Sequence, residues 1–284
     1  MLDVLEKFNK PGYEELAKMI NEWILVSKRK GEGFQVVLPN YYFETQNGFP
    51  LDSIVENIGD VLEEIDLQNF VGSQRYFLYN LAYSKKEDPK FESLNTLYDI
   101  VAHELSAYGR PFEGVLGIDI TEWVTLEETG SMKFRAFLEF MAALDDITVA
   151  VFIDRANNSN LTRKAFNNIA AYARLEKVRI VLDNAEGAER ILKEKLSSLG
   201  FQVDDKANKL LIEHLGDILS IPGNESYETL RLIAQELVYI KCKEEENFST
   251  TLTADDIDKY FRGQDWIEAF KIKKKTYRLG LLGE

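Results

Sequence analysis

The sequence predicts an α/β protein: a doubly wound, parallel five-stranded sheet followed by an all-helical domain. Three observations carry this. Five short, mostly apolar runs alternate with amphipathic stretches between residues 34 and 183. From residue 184 onward only helical periodicity remains. The 284 residues are 45% hydrophobic and 12% aromatic, enough apolar material to cover a sheet on both faces.

The elements follow in order. Residues 12–30 read as a helix with Leu16, Ile20, Trp23, Ile24 and Val26 on its apolar stripe. Lys28, Arg29 and Lys30 fall in its last turn, where the helix dipole favours cations, and Gly31 and Gly33 stop it. FQVVL (34–38) reads as a buried strand ended by Pro39-Asn40, then an aromatic loop over 41–49, with Pro50 opening a second helix. RYFLYNLA (75–82) is the second strand. It leads to a helix with Phe91, Leu94, Leu97, Tyr98, Val101 and Leu105 on one face. GVLGID (114–119), TVAVFID (148–154) and VRIVLD (178–183) supply the remaining strands, with helices at 131–146 and 161–174 between them. Right-handed crossovers make this a layered sandwich. Helices then run over 187–199, 206–220 and 226–242, and Thr253 caps a short last one. The expected division is an N-terminal helical segment (1–33), an α/β domain (34–185), a helical lid (186–262) and a tail (263–284).

Charge and cysteine content narrow the function. Asp plus Glu total 48 against 34 Lys plus Arg, a net charge of −14. A surface built for nucleic acid would carry the opposite sign. The exception is the tail, where Lys271, Lys273, Lys274, Lys275 and Arg278 give a net +2 against −16 for the remainder. The lone Cys242 excludes a disulfide scaffold and a cysteine zinc cluster, and His103 and His214 share no ligand spacing. No apolar run reaches the ~18 residues of a membrane helix. A soluble, cytoplasmic protein with no resident metal is expected.

Several segments together resemble the AAA+ ATPase superfamily of P-loop NTPases, in particular its rubisco-activase-like clade (CbbX, SpoVK). KMINEWILVSKRKGEGFQVVLPN is similar to the helix, basic turn and first strand that lead to the phosphate loop. EGVLGIDITEW is similar to the Walker B strand, and KFRAFLEFMAALDDITVAVFID to the next helix and the sensor-1 strand. ESYETLRLIAQELVYIKC followed by LTADDIDKYF looks like the lid. The resemblance implies nucleotide contacts at Asn40, Asn47, Gly48, Asp119, Asp154 and Arg231, the last at the sensor-2 region. It places Arg174 near the arginine finger that would reach a neighbouring subunit.

The departures are chemical. A phosphate loop, GxxxxGK[ST], uses glycines for close amide approach, a Lys for the β/γ oxygens and a hydroxyl for magnesium. The interval here is PNYYFETQNGFPLDS, with no Lys, one Gly and a Pro that has no amide to donate. After Asp119 the family has a glutamate that polarises the attacking water; here Ile120 can accept no proton, and Glu122 lies two residues on. Asp119 reads either as a surviving metal ligand or as a strand-end cap, the latter favoured because partners for a metal are missing. Asp154 and Asn157 read equally well as strand-end turn residues. Arg174 reads also as a helix-terminal cation and Arg231 as a paired helix residue. Tyr41, Tyr42, Phe43 and Phe49 are expected to plug the cleft as core rather than to stack a base.

The expected function is that of a catalytically inactive AAA+-like protein, an adaptor, scaffold or regulatory subunit. Its partner would be an active AAA+ ATPase, itself or another protein, and no ATP or magnesium would be required. The alternatives are a divergent ATP-binding ATPase and a clamp-loader-like subunit that touches DNA through the basic tail.

Overall fold

The computed structural model describes residues 6–33, 37–67, 76–81, 83, 114–142, 148–219, 226–243 and 248–263. The expected helix around Phe91–Leu105, His103 and the basic tail lie outside them. The chain forms two compact units, Met1–Val181 and Leu182–Glu284.

The first unit opens with α1 (Glu14–Gly31), which has acids in its first turn and Lys28, Arg29 and Lys30 in its last. Then come β1 (Asn40–Thr45), α2 (Leu51–Glu64), β2 (Tyr76–Asn80) and β3 (Gly114–Asp119). A short α3 (Thr121–Thr125), a 3-10 turn and α4 (Met132–Ala142) lead to β4 (Thr148–Asp154), α5 (Ser159–Ala170) and β5 (Leu175–Ile180). The five strands form one parallel sheet, as expected, and their order is β2-β3-β4-β1-β5.

Helices cover both faces of the sheet. Tyr42, Ile118 and Phe152 enter a core with Trp123 of α3, Phe134 and Phe137 of α4 and Ala165 of α5. On the other face Trp23 of α1 donates its indole N–H to the Tyr41 hydroxyl at 2.6 Å. Gly117 lies on that face too, where a Cβ would come within 3.1 Å of Val55 of α2 and 3.0 Å of Leu78. Only the smallest residue lets α2 approach β3 so closely.

The first strand is a correction. It occupies Asn40–Thr45, so the aromatic segment expected to form a loop is the centre of the sheet; of the run expected at 34–38, residues 34–36 lie outside the described residues and Val37 and Leu38 belong to no strand. Tyr41 and Phe43 fill one face and Tyr42 the other, each at most 2% exposed. Pro39 does not end a strand but precedes one, where its missing N–H interrupts no ladder. Two shifts follow the same logic. β5 begins at Leu175 rather than 178, and α5 ends at Ala170, so Arg174 lies in the connection between them and not on a helix.

The second unit holds α6 (Ala185–Ser198), α7 (Asp205–Leu219), α8 (Ser226–Cys242) and α9 (Ala254–Arg262). α7 and α8 both pack on α6, and α9 packs on α7. Asn184 caps α6 by accepting the Gly187 N–H at 2.6 Å. Thr253 and Asp256 form a reciprocal capping box at α9. Asp256 also accepts Lys241 Nζ at 3.1 Å, tying α9 to α8. The unit is not purely helical: β6 (Gln202–Val203) and β7 (Thr251–Leu252) pair in parallel. Two-residue strands carry no periodicity for a sequence to display. No described helix is long and apolar enough to cross a membrane.

Candidate functional site

The sheet order locates the crevice. From β1 the chain crosses toward β2, and from β4 it crosses the opposite way toward β5. The two strands are neighbours, so their carboxyl ends flank a topological switch point, where open α/β sheets bind ligands. Three strand ends converge there: Thr45 on β1, Asp154 on β4 and Asp119 on β3.

The connection from β1 to α2 is Gln46–Pro50. Gly48 turns it with a φ of +89°. The Phe49 side chain folds inward, 5% exposed, against the Tyr13 ring at 5.7 Å. α2 starts at Leu51, with Pro50 as its N-cap residue. GxxxxGK[ST] laid over Thr45–Asp52, so that its Lys opens the helix, puts Pro50 at the second Gly, Leu51 at the Lys and Asp52 at the hydroxyl position. The Asp52 carboxylate instead lies 3.5 Å from the Tyr76 hydroxyl of β2.

Arg155, immediately after β4, occupies the crevice. Its guanidinium donates to Asp119 Oδ2 at 2.5 Å and to Asn47 Oδ1 at 3.0 Å. Asp119 is 5% exposed, and its other oxygen accepts the Thr121 N–H at 3.0 Å and the Thr121 hydroxyl at 2.6 Å. Thr121 Oγ1 accepts the Arg155 backbone N–H at 3.0 Å, which closes a ring of contacts between β3, α3 and β4. Asp119 therefore works as a strand-end turn cap and as the counter-ion of an arginine.

Asp154 is engaged on the opposite side. Its Oδ2 accepts the Tyr42 and Thr162 hydroxyls, each at 2.6 Å, and its Oδ1 accepts the Ala156 N–H at 2.8 Å. Burial, then the Asp154 charge beside it, pushes the Tyr42 hydroxyl far above the usual phenol range, so it remains a donor at neutral pH. Asn157 follows in the left-handed region at φ +48°. Ile120 is fully buried among Trp123, Phe134 and Phe152. The residue after Asp119 thus belongs to the core. Glu122 accepts the Tyr83 backbone N–H at 2.5 Å and so fastens the chain beyond β2.

The structure thus gathers Asn47, Gly48, Asp119 and Asp154 at one edge of the sheet. It places Asn40 and Arg174 apart from these four. Asn40 opens β1, ~17 Å of strand from Thr45 at ~3.3 Å per residue, and its Oδ1 accepts the Ala150 N–H at 2.9 Å. The Asn40 N–H in turn donates to the Arg174 carbonyl at 3.0 Å, so Arg174 shares this opposite edge. The Arg174 side chain is exposed and pairs with Glu176. Arg231 lies in the second unit on α8, paired with Glu228 at 2.5 Å and with Gln235 at 3.1 Å. His214 stacks on Phe261 with ring centroids 4.2 Å apart, and Cys242 is an exposed thiol at the end of α8.

Sequence reasoning missed Arg155, Thr121 and the Tyr42 hydroxyl. One signal was available: Arg155 directly follows one strand-end acid, and two strand-end acids share one crevice. The residues present do not fit magnesium and a triphosphate. The metal-linked position already carries a guanidinium, and the start of α2 offers Leu51 and Asp52 in place of a cation and a hydroxyl.

Comparison with solved structures places this architecture. An AAA domain of FIGL-1 superposes with a TM-score of 0.52 at 14% identity, covering 93% of this chain and 86% of that one. A point mutant of RuvB from Thermotoga maritima gives 0.52 at 13% identity, with 90% of this chain and 70% of that chain covered. The fold is that of the AAA+ ATPases. The Thermotoga maritima RuvB Holliday junction branch migration motor agrees, at 0.51 and 12% identity over 88% of this chain and 68% of that one. No family model and no curated protein matches the sequence. At such identities the likeness concerns the AAA+ fold alone.

Proposed function

We propose that this AAA+-like chain does not hydrolyse ATP and acts by binding another protein, as an adaptor, scaffold or regulatory subunit. The observation that carries the reading is Arg155 on Asp119, a cation of the chain itself at the carboxylate that would serve magnesium. Pro50, Leu51 and Asp52 at the start of α2, and a core isoleucine after Asp119, support it independently. Neither ATP nor magnesium is required in this reading. The rubisco-activase-like pattern of segments, with both Walker motifs degenerate, is the lineage we propose. Proteins of this architecture assemble through their α/β and lid surfaces, so the proposed partner is an active AAA+ ATPase or a second copy. An acidic chain of net −14 argues against a broad nucleic-acid face.

The purified full chain is expected to release no phosphate from ATP above background, and Asp119→Asn is expected to leave that background unchanged. A coupled phosphate-release assay checks this. Magnesium-dependent turnover that disappears in Asp119→Asn would establish the chain as an enzyme instead.

A further inference from the structure

We infer that Arg155 is a built-in fastener that holds the β1–α2 turn against the end of β3, so that the turn stays closed with nothing bound. In a phosphate loop, a ligand and its cation order the backbone between strand and helix. Here both ends of the fastening are covalent parts of the chain. The Arg155 backbone N–H is fixed on Thr121 Oγ1 at 3.0 Å, and Thr121 is itself fixed on Asp119. The guanidinium then spans from Asp119 on β3 to Asn47 in the turn. A planar fork reaches two acceptors at once, which a lysine ammonium on a flexible stem does not do with the same preorganisation. Bonds to the Asp119 carboxylate are charge-assisted, and Asp119 is largely shielded from water, so the anchor is strong.

The consequence runs beyond the turn. Phe49 lies between Asn47 and α2, and the Ile54 N–H closes the first helical turn on the Pro50 carbonyl at 3.0 Å. Holding Asn47 therefore also sets where α2 begins. The chain keeps one loop conformation that a ligand-gated relative would adopt only when loaded. This rests on the reading that no nucleotide performs the task.

Hydrogen exchange in the peptide spanning 46–54 of the full chain tests it. Asn47→Ala removes the turn's acceptor for the guanidinium and leaves the Arg155–Asp119 pair in place. It is expected to speed exchange there about tenfold, with the 185–219 helices unchanged. Arg155→Ala is expected to do so more strongly, and Arg155→Lys to fall between. Free guanidinium at tens of millimolar is expected to slow exchange again in Arg155→Ala alone. Exchange in 46–54 that is the same in wild type and Asn47→Ala would overturn the fastener. Slowing of that peptide in the wild type by magnesium and ATP would instead overturn the proposed function, because the fastener comparison is made without nucleotide.

Discussion

Asp154→Ala is expected to destabilise the α/β unit by about 3–6 kcal/mol, among the largest effects of any single change near the crevice. The carboxylate is 1% exposed and receives three donors: the Tyr42 hydroxyl, the Thr162 hydroxyl and the Ala156 N–H. The Tyr42 and Thr162 hydroxyls, stranded where water does not reach, cost ~1–3 kcal/mol each, and the half-buried Ala156 N–H adds less. The three donors come from β1, α5 and the turn after β4, so their common acceptor joins elements distant in sequence. Urea denaturation followed by circular dichroism checks the figure. Asp154→Asn, which keeps one oxygen, is expected to lose less than half as much. A residue kept only to sense a nucleotide would predict the reverse, an alanine variant as stable as the parent; a loss below ~1 kcal/mol would support that view.

Phe49→Ala is expected to cost about 3–5 kcal/mol, the range for emptying an aromatic core position. Phe49 is the one aromatic of the 41–49 segment that belongs to the turn, and it is 5% exposed. Its ring meets Tyr13, and its Cζ lies 3.0 Å from where a Cβ on Gly12 would stand. Gly12 has a φ of +85° and no room for a side chain, so the site has little freedom to collapse around a void. Phe49→Leu refills most of the volume and is expected to recover more than half of the loss. A drop in urea midpoint equivalent to less than ~1 kcal/mol for Phe49→Ala would show that the turn does not depend on this anchor.

The sheet was legible because parallel strands buried on both faces write themselves as apolar runs; β3 and β4 stand where GVLGID and TVAVFID are read. β1 was misplaced for a physical reason. Its core residues are Tyr41, Tyr42 and Phe43, whose hydroxyls and bulk suggest a surface loop until Trp23 and Asp154 are seen to satisfy them. Side-chain pairing across long separations was the illegible part. Arg155 and Asn47 are 108 residues apart in sequence. Their meeting follows only from the strand order, in which β1 and β4 are neighbours. What the crevice lacks, by contrast, was readable residue by residue: no lysine before α2 and no glutamate after Asp119. What replaced those groups required coordinates.

Calorimetric titration of the full chain with ATP, ADP and a nonhydrolysable analogue, with and without magnesium, asks whether the crevice takes a nucleotide at all. With Arg155 seated on Asp119 and Leu51 at the lysine position, no saturable heat is expected for any of them up to millimolar concentrations. A saturable, magnesium-dependent isotherm in the micromolar range would contradict this expectation.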